Sequence, residues 1–142
     1  MKIPRAQQHS FRVHHIAAPQ GSHKQGFGKS VRETNPRTEP YRHAVAEACE
    51  DYIEDQDAWV ILDGYLAVEL TFWMPPAPKS DPHRLYPNTS PDIDKLVRST
   101  FDGITRGKLW VDDARVVKLT TSEEFAASLQ ETGVDVAVWK LS

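Results

Sequence analysis

Pro91-Asp92-Ile93-Asp94-Lys95-Leu96-Val97-Arg98-Ser99-Thr100-Phe101-Asp102-Gly103-Ile104-Thr105-Arg106-Gly107 reads as one amphipathic helix, and the rest of the fold is assembled around it. Ile93, Val97, Phe101 and Ile104 recur at helical spacing and form an inner face. Asp94, Arg98 and Asp102 stand one turn apart and share a polar face. Asp92 is placed to cap the helix, and Gly107 suits its C-terminal stop, so the helix is expected over 93–106. The Pro-rich stretch 75–91 before it is a loop.

Upstream of that loop, 59–62 and 65–73 are apolar extended stretches around Asp63-Gly64, a dipeptide that favours a hairpin turn. Pro40 opens a second helix over 40–55. Ala44, Val45, Ala48, Cys49, Tyr52 and Ile53 form its buried stripe, and Glu47, Glu50, Asp51, Glu54 and Asp55 its solvated face. Residues 1–10 are expected to be frayed. Residues 11–17 suit a short strand with Phe11, Val13 and His15 on one face, and 19–40 a basic loop rich in Gly and Pro. Strands at 114–120 and 134–139 follow the central helix. The order β, α, β, β, α, β, β predicts a single α+β domain over 1–142, with two main helices packed on a mostly antiparallel or mixed sheet. A chain of 142 residues has room for one such core.

No stretch approaches the length of a membrane span, and the first ten residues lack the apolar core of a signal peptide. A cytoplasmic protein with no membrane partner is expected. The only cysteine, Cys49, has no partner for a disulfide and sits on an apolar stripe, which suits a core residue rather than a nucleophile. The net charge of −3 conceals an asymmetry: residues 1–42 hold eight Lys/Arg against Glu33 and Glu39, and the remainder holds nine against eighteen acids. A basic arm beside an acidic body suits a polyanion gripped by one and processed by the other, although a poorly ordered tail gives the same pattern.

The acids give the body its chemistry. Alternation across the helix junction can aim Asp92 and Asp94 at one point off the helix N-terminus, where the dipole favours negative groups. The same residues also have purely structural readings: Asp92 as a cap, Asp94 with Arg98 as an ion pair of about 0.3–0.5 kcal/mol, and Asp102 as a solvated side chain. After Gly107-Lys108 the chain turns back through Leu109, Trp110 and Val111 and returns Asp112-Asp113 towards the helix. In an extended segment neighbours point to opposite faces, so one acid of that pair joins Asp92 and Asp94 while the other supports it or faces solvent. Mg²⁺ favours such oxygen ligands, with one or two carboxylates beside phosphate and water. Clustered aspartates around one or two such ions meet the demand of phosphodiester hydrolysis. Arg98 would contact a phosphate oxygen or balance the carboxylates.

Pro91-Asp92-Ile93-Asp94-Lys95-Leu96-Val97-Arg98, then Phe101-Asp102, then Leu109-Trp110-Val111-Asp112-Asp113-Ala114-Arg115-Val116-Val117 resemble the signature of the RusA family of Holliday junction resolvases, of a phage-borne type. That signature runs D-x-D-N-L-x-K, F-D-A-L, a short turn, and D-D-x-x-V. The resemblance is close over about 91–118. It implies a homodimeric endodeoxyribonuclease that uses Mg²⁺ (or Mn²⁺), binds four-way DNA junctions and nicks opposing strands, in DNA recombination and repair. By position, Asp92, Asp94 and Asp113 match the family's metal-binding catalytic aspartates. Arg98 stands where the family has a functional lysine, and Asp112 and Asp102 become supporting acids. Lys95 replaces the usual asparagine and adds a positive charge beside the acids, where it either contacts DNA or weakens metal binding. A junction-binding protein that has lost catalysis, and a nuclease for other branched DNA, are therefore alternatives.

Gly28-Lys29-Ser30 does not complete a P-loop, which needs glycine where His23 stands. Lys24, Lys29, Arg32 and Arg37 instead suit a loop lying against DNA phosphates, with Phe27 at its tip as a wedge between bases. The six histidines lack the spacing of a zinc site, and Trp59, Trp73, Trp110 and Trp139 fit core or sheet positions.

Overall fold

The strand that organises the molecule is β4, Leu66–Met74, in which Leu66, Ala67, Val68, Leu70 and Phe72 are all buried. Both its edges are taken. β5 (Val116–Phe125) runs parallel to it, with Leu70 beside Thr121 and Phe72 beside Glu123. β6 (Gly133–Lys140) runs antiparallel on the other side, with Leu70 beside Val136. β1 (His9–Val13) then pairs antiparallel with β6, so the mixed sheet has the order β1-β6-β4-β5. The computed structural model describes residues 8–21, 23–25, 31–33 and 35–142, with backbone alone over 23–25 and 31–33. There β2 (His23–Gln25) and β3 (Val31–Glu33) pair as a separate antiparallel ribbon.

Two helices, α1 (Thr38–Glu54) and α2 (Ile93–Arg106), share one core with a single sheet face. Val13, Val68, Leu70, Phe72, Val134, Val136 and Val138 come from the sheet; Tyr41, Val45, Cys49, Leu96 and Ile104 come from the helices. Each such side chain contributes roughly 1.5–3 kcal/mol on burial, so this layer is the main support of the fold. The helices meet almost backbone to backbone. A Cβ on Gly103 would lie 2.6 Å from Val45 Cβ, and one on Gly107 would lie 2.7 Å from Cys49 Cβ. Gly107 is the C-cap of α2 in ordinary helical conformation, and Lys108 takes the left-handed backbone (φ 62°) that reverses the chain.

Several expectations are corrected. Residues 59–62 do not pair with β4, because both edges of β4 are occupied; Leu62 instead forms a parallel bridge with Trp110. The basic loop contains the β2–β3 ribbon. The first strand begins at His9, within the segment expected to fray, and ends at Val13; residues 1–7 lie outside the described ones. Ala17 and Ala18 leave the sheet and are buried, where the Ala18 carbonyl accepts a hydrogen bond from Ser99 Oγ. α1 starts before Pro40, at Thr38, whose hydroxyl donates to the Pro19 carbonyl at 2.6 Å. β5 begins at Val116, because Asp113–Arg115 winds into a 3-10 turn first.

Candidate active site

The N-terminal half of α2 faces β5 across an open cavity of about 660 Å³. Asp94, Arg98, Asp102 and Asp113 line it together, with Ile93, Val97 and Phe101 as its apolar wall and Gln20 and Thr121 at its sides. Of the expected inner face, Ile104 is fully buried, Val97 belongs to the core and Phe101 packs against it, while Ile93, Val97 and Phe101 also wall the cavity. Ile93 alone of the four is exposed, and Leu96, Ser99 and Thr100 are fully buried beside Ile104. Asp92 lies round the helix end. It lines an adjoining cavity of about 450 Å³ with Gln20, Gly21, Asn35, Arg37 and Lys95. Gln20 borders both spaces, and its backbone N–H donates to the Lys95 carbonyl at 2.9 Å.

Asp113 reaches the cavity because the chain doubles back on itself. After the Lys108 reversal, Leu62 and Val111 exchange backbone bonds with Leu109 and Leu62 at 3.0 and 2.9 Å. Trp110 is buried edge-on against Phe101, and its indole N–H donates to Thr105 Oγ1 at 2.7 Å. Asp112 is extended and exposed, while Asp113 opens the 3-10 turn and is partly covered. Burial raises the Asp113 carboxyl above the ordinary aspartate value, and a hydrogen bond with Asp112 and the charges of Asp112 and Asp102 raise it further. Donation from the Ala114 N–H opposes them.

Asp92 occupies the N-cap position with extended backbone, yet its side chain makes no capping bond. Its carbonyl accepts the N–H groups of Lys95 and Leu96, and its carboxylate stands 4.0 Å from Lys95 Nζ. Asp102 is not simply solvated: its Oδ2 lies 3.3 Å from the nearly buried guanidinium of Arg42. Arg42 also bonds Glu39 Oε1 at 2.6 Å and Gln20 Oε1, and Arg106 bonds the same Glu39 at 3.1 Å. Four residues of this neighbourhood went unread in the sequence. Arg42 counted only towards the charge of the arm, and Gln20 carried no signal. Thr121 and Glu123 fell beyond the expected end of β5, although alternation from Leu119 would have placed both on the helix-facing side.

The sequence model of the family described as endodeoxyribonuclease RusA matches residues 17–138. The chain belongs to the RusA family. No curated protein matches it. The RusA family is one of nucleases that cut within DNA, and its signature acids here divide between two adjoining cavities: Asp94 and Asp113 in one, Asp92 in the other. Among the described residues no three His, Cys, Asp or Glu side chains converge closely enough to hold a metal ion. The donor chemistry nevertheless fits a hard cation. The acids are oxygen ligands, and two flanking oxygens, Thr121 Oγ1 and Glu123 Oε1, are buried with no hydrogen-bond partner among the described residues. Of the proposed DNA contacts, Arg37 and Lys95 line the Asp92 cavity and Arg98 lines the other. Phe27 and Lys29 lie outside the described residues, and the side chains of Lys24 and Arg32 do as well. No helix among the described residues is long and apolar enough to cross a membrane.

Proposed function

We propose that the chain is a homodimeric, divalent-metal-dependent endodeoxyribonuclease that resolves four-way DNA junctions by paired symmetric nicks. One observation carries this reading. Asp94 and Asp102 from α2 and Asp113 from the turn that doubles back after it share a cavity with Arg98, and the cationic Arg37 and Lys95 flank Asp92 next door. Asp92, Asp94 and Asp113 would hold Mg²⁺ or Mn²⁺. When bound, such an ion supplies Lewis acidity at a phosphoryl oxygen and lowers the pKa of a bound water. Asp102 is drawn towards Arg42, so that the negative charge around Asp113 is partly balanced before any ligand arrives. Arg98 presents a planar guanidinium suited to two phosphate oxygens at once. Arg37 and Lys95 suit the neighbouring backbone phosphates, which position a strand without reading its bases. Two copies related by a two-fold axis match a substrate that needs two symmetric cuts.

Asp113→Asn tests the reading. It should abolish Mg²⁺-stimulated cleavage of a synthetic four-way junction while gel-shift binding persists. Cleavage at the normal rate would remove Asp113 from the chemistry. A second reading, a junction-binding protein without catalysis, is favoured by the Lys95 amine 4.0 Å from Asp92 Oδ2, where it competes with a cation. Binding without Mg²⁺-stimulated nicking would select it. A panel of flaps and forks beside the junction separates resolution from cleavage of other branched DNA.

A further inference from the structure

We propose that Glu123 is a fourth carboxylate of this site, facing the divalent cation from β5 with the Thr121 hydroxyl beside it. The inference rests on the metal-dependent reading above and adds residues to it. Leu119, Thr121 and Glu123 alternate along β5 in register with Val68, Leu70 and Phe72, whose side chains lie on the helix-covered face. Two of these three carry oxygens on a face otherwise built of Val, Leu and Phe. Thr121 lines the cavity of Asp94, Arg98 and Asp113, and its Oγ1 is closed off from solvent. Two residues further along, Glu123 Oε1 is closed off from solvent. Neither oxygen has a hydrogen-bond partner among the described residues.

A buried carboxylate oxygen without a donor is costly, and in native structures such an atom marks an ion, a water or a functional strain. Burial already disfavours a charge at Glu123, and repulsion by Asp92 adds to it. Lys95 Nζ stands 4.0 Å from the Asp92 carboxylate. Two acids brought together by α2 and β5, one with an oxygen sealed and unpaired, make an arrangement that a hard cation would relieve. Glu123 feels the charge of Asp92, which lines one cavity, and stands two residues along β5 from Thr121, which lines the other.

The test is metal binding by the DNA-free protein, read by calorimetric titration with MnCl₂ and by melting with and without the ion. Glu123→Gln should weaken Mn²⁺ affinity by at least about tenfold, the lower end of what the loss of a supporting partner costs a metal site. Without metal it should melt no lower than the wild type, because a repelled carboxylate has been neutralised. Glu123→Asp, which keeps the charge and loses one methylene of reach, should fall between the two and carries the comparison if the Gln variant does not fold. A wild type that binds Mn²⁺ while Glu123→Gln binds it within twofold overturns the role of Glu123 alone. A wild type that binds no Mn²⁺ overturns the metal-dependent reading as well.

Discussion

Replacing Gly103 by Ala sets one methyl group against the contact that fixes where α2 lies. That Cβ would stand 2.6 Å from Val45 Cβ, 2.7 Å from Val45 Cγ1 and 3.0 Å from the Arg42 carbonyl oxygen. Carbon atoms in favourable contact are about 3.5–4.0 Å apart, so α1 and α2 would have to separate by about 1 Å. Val45 is fully buried and β-branched, which leaves it one favoured rotamer in a helix and no room to swing aside. Overpacking of this kind costs about 1–3 kcal/mol, and the contact here belongs at the upper end. Ala is the better helix former by up to about 1 kcal/mol, which leaves a net loss of about 2 kcal/mol. At about 3 °C per kcal/mol for a chain of this size, the melting midpoint falls by about 6 °C. Urea unfolding followed by tryptophan fluorescence should show the midpoint lowered with an unchanged slope. Because α2 carries Asp94, Arg98 and Asp102, cleavage by the folded variant should fall too. A variant that melts at or above the wild type would mean that helix propensity outweighs the clash, and would refute the backbone-to-backbone contact.

Arg42→Met removes the nearly buried guanidinium that joins Glu39, Gln20 and Asp102; with both carboxylate partners about half exposed, the loss should be about 2 kcal/mol, read as a lowered urea midpoint. Glu39 is held below its ordinary value of 4.5 by hydrogen bonds from Arg106 and then Arg42. A lowered carboxylate stabilises the fold above its unfolded value and loses that contribution as pH falls through its folded value. Glu39→Gln should therefore melt below the wild type at pH 7, and the gap should close on acidification below 4.5; a gap independent of pH would refute the ionic origin. The Cys49 thiol is pushed up to about 12, first by burial and then by Glu50. It should resist alkylation at pH 8 in the native protein and react fully after unfolding, as a mass shift will show.

The helix 93–106 was legible to the residue because its signals are local: a repeat of 3.6, a proline before it and a glycine after it. β6 was nearly as plain, since Val134, Val136 and Val138 alternate towards one face. What the residues do not carry is pairing. Nothing local to Leu62 says that its partner is Trp110 rather than β4, and nothing local to β4 says that β5 lies parallel beside it. The same limit applies at the site. Asp92, Asp94 and the Asp112-Asp113 pair stood out through spacing, with Asp113 singled out only by the family resemblance, but Arg42 meets Asp102 only because Gly103 and Gly107 let the helices touch. Periodicity also reports which side of a helix is apolar, not what lies over it. Ile93 therefore looked like core and is exposed at a cavity wall, which Val97 and Phe101 share while packing on the core.

The basic arm leaves the body at Gly21 and comes back at Asn35, and both residues line the same small cavity as Asp92. Departure and return are each pinned, by Gln20 to the start of the acid-bearing helix and by the Asn35 carbonyl to the Thr38 N–H at 3.2 Å. Closing a loop whose ends are already fixed side by side costs little more when the loop grows, about 0.6 kcal/mol for each doubling of length. An arm of another length or composition can thus be spliced between the same two points without moving a single carboxylate. The segment between Gly21 and Asn35 is free to vary while Asp92 keeps its place at the start of α2.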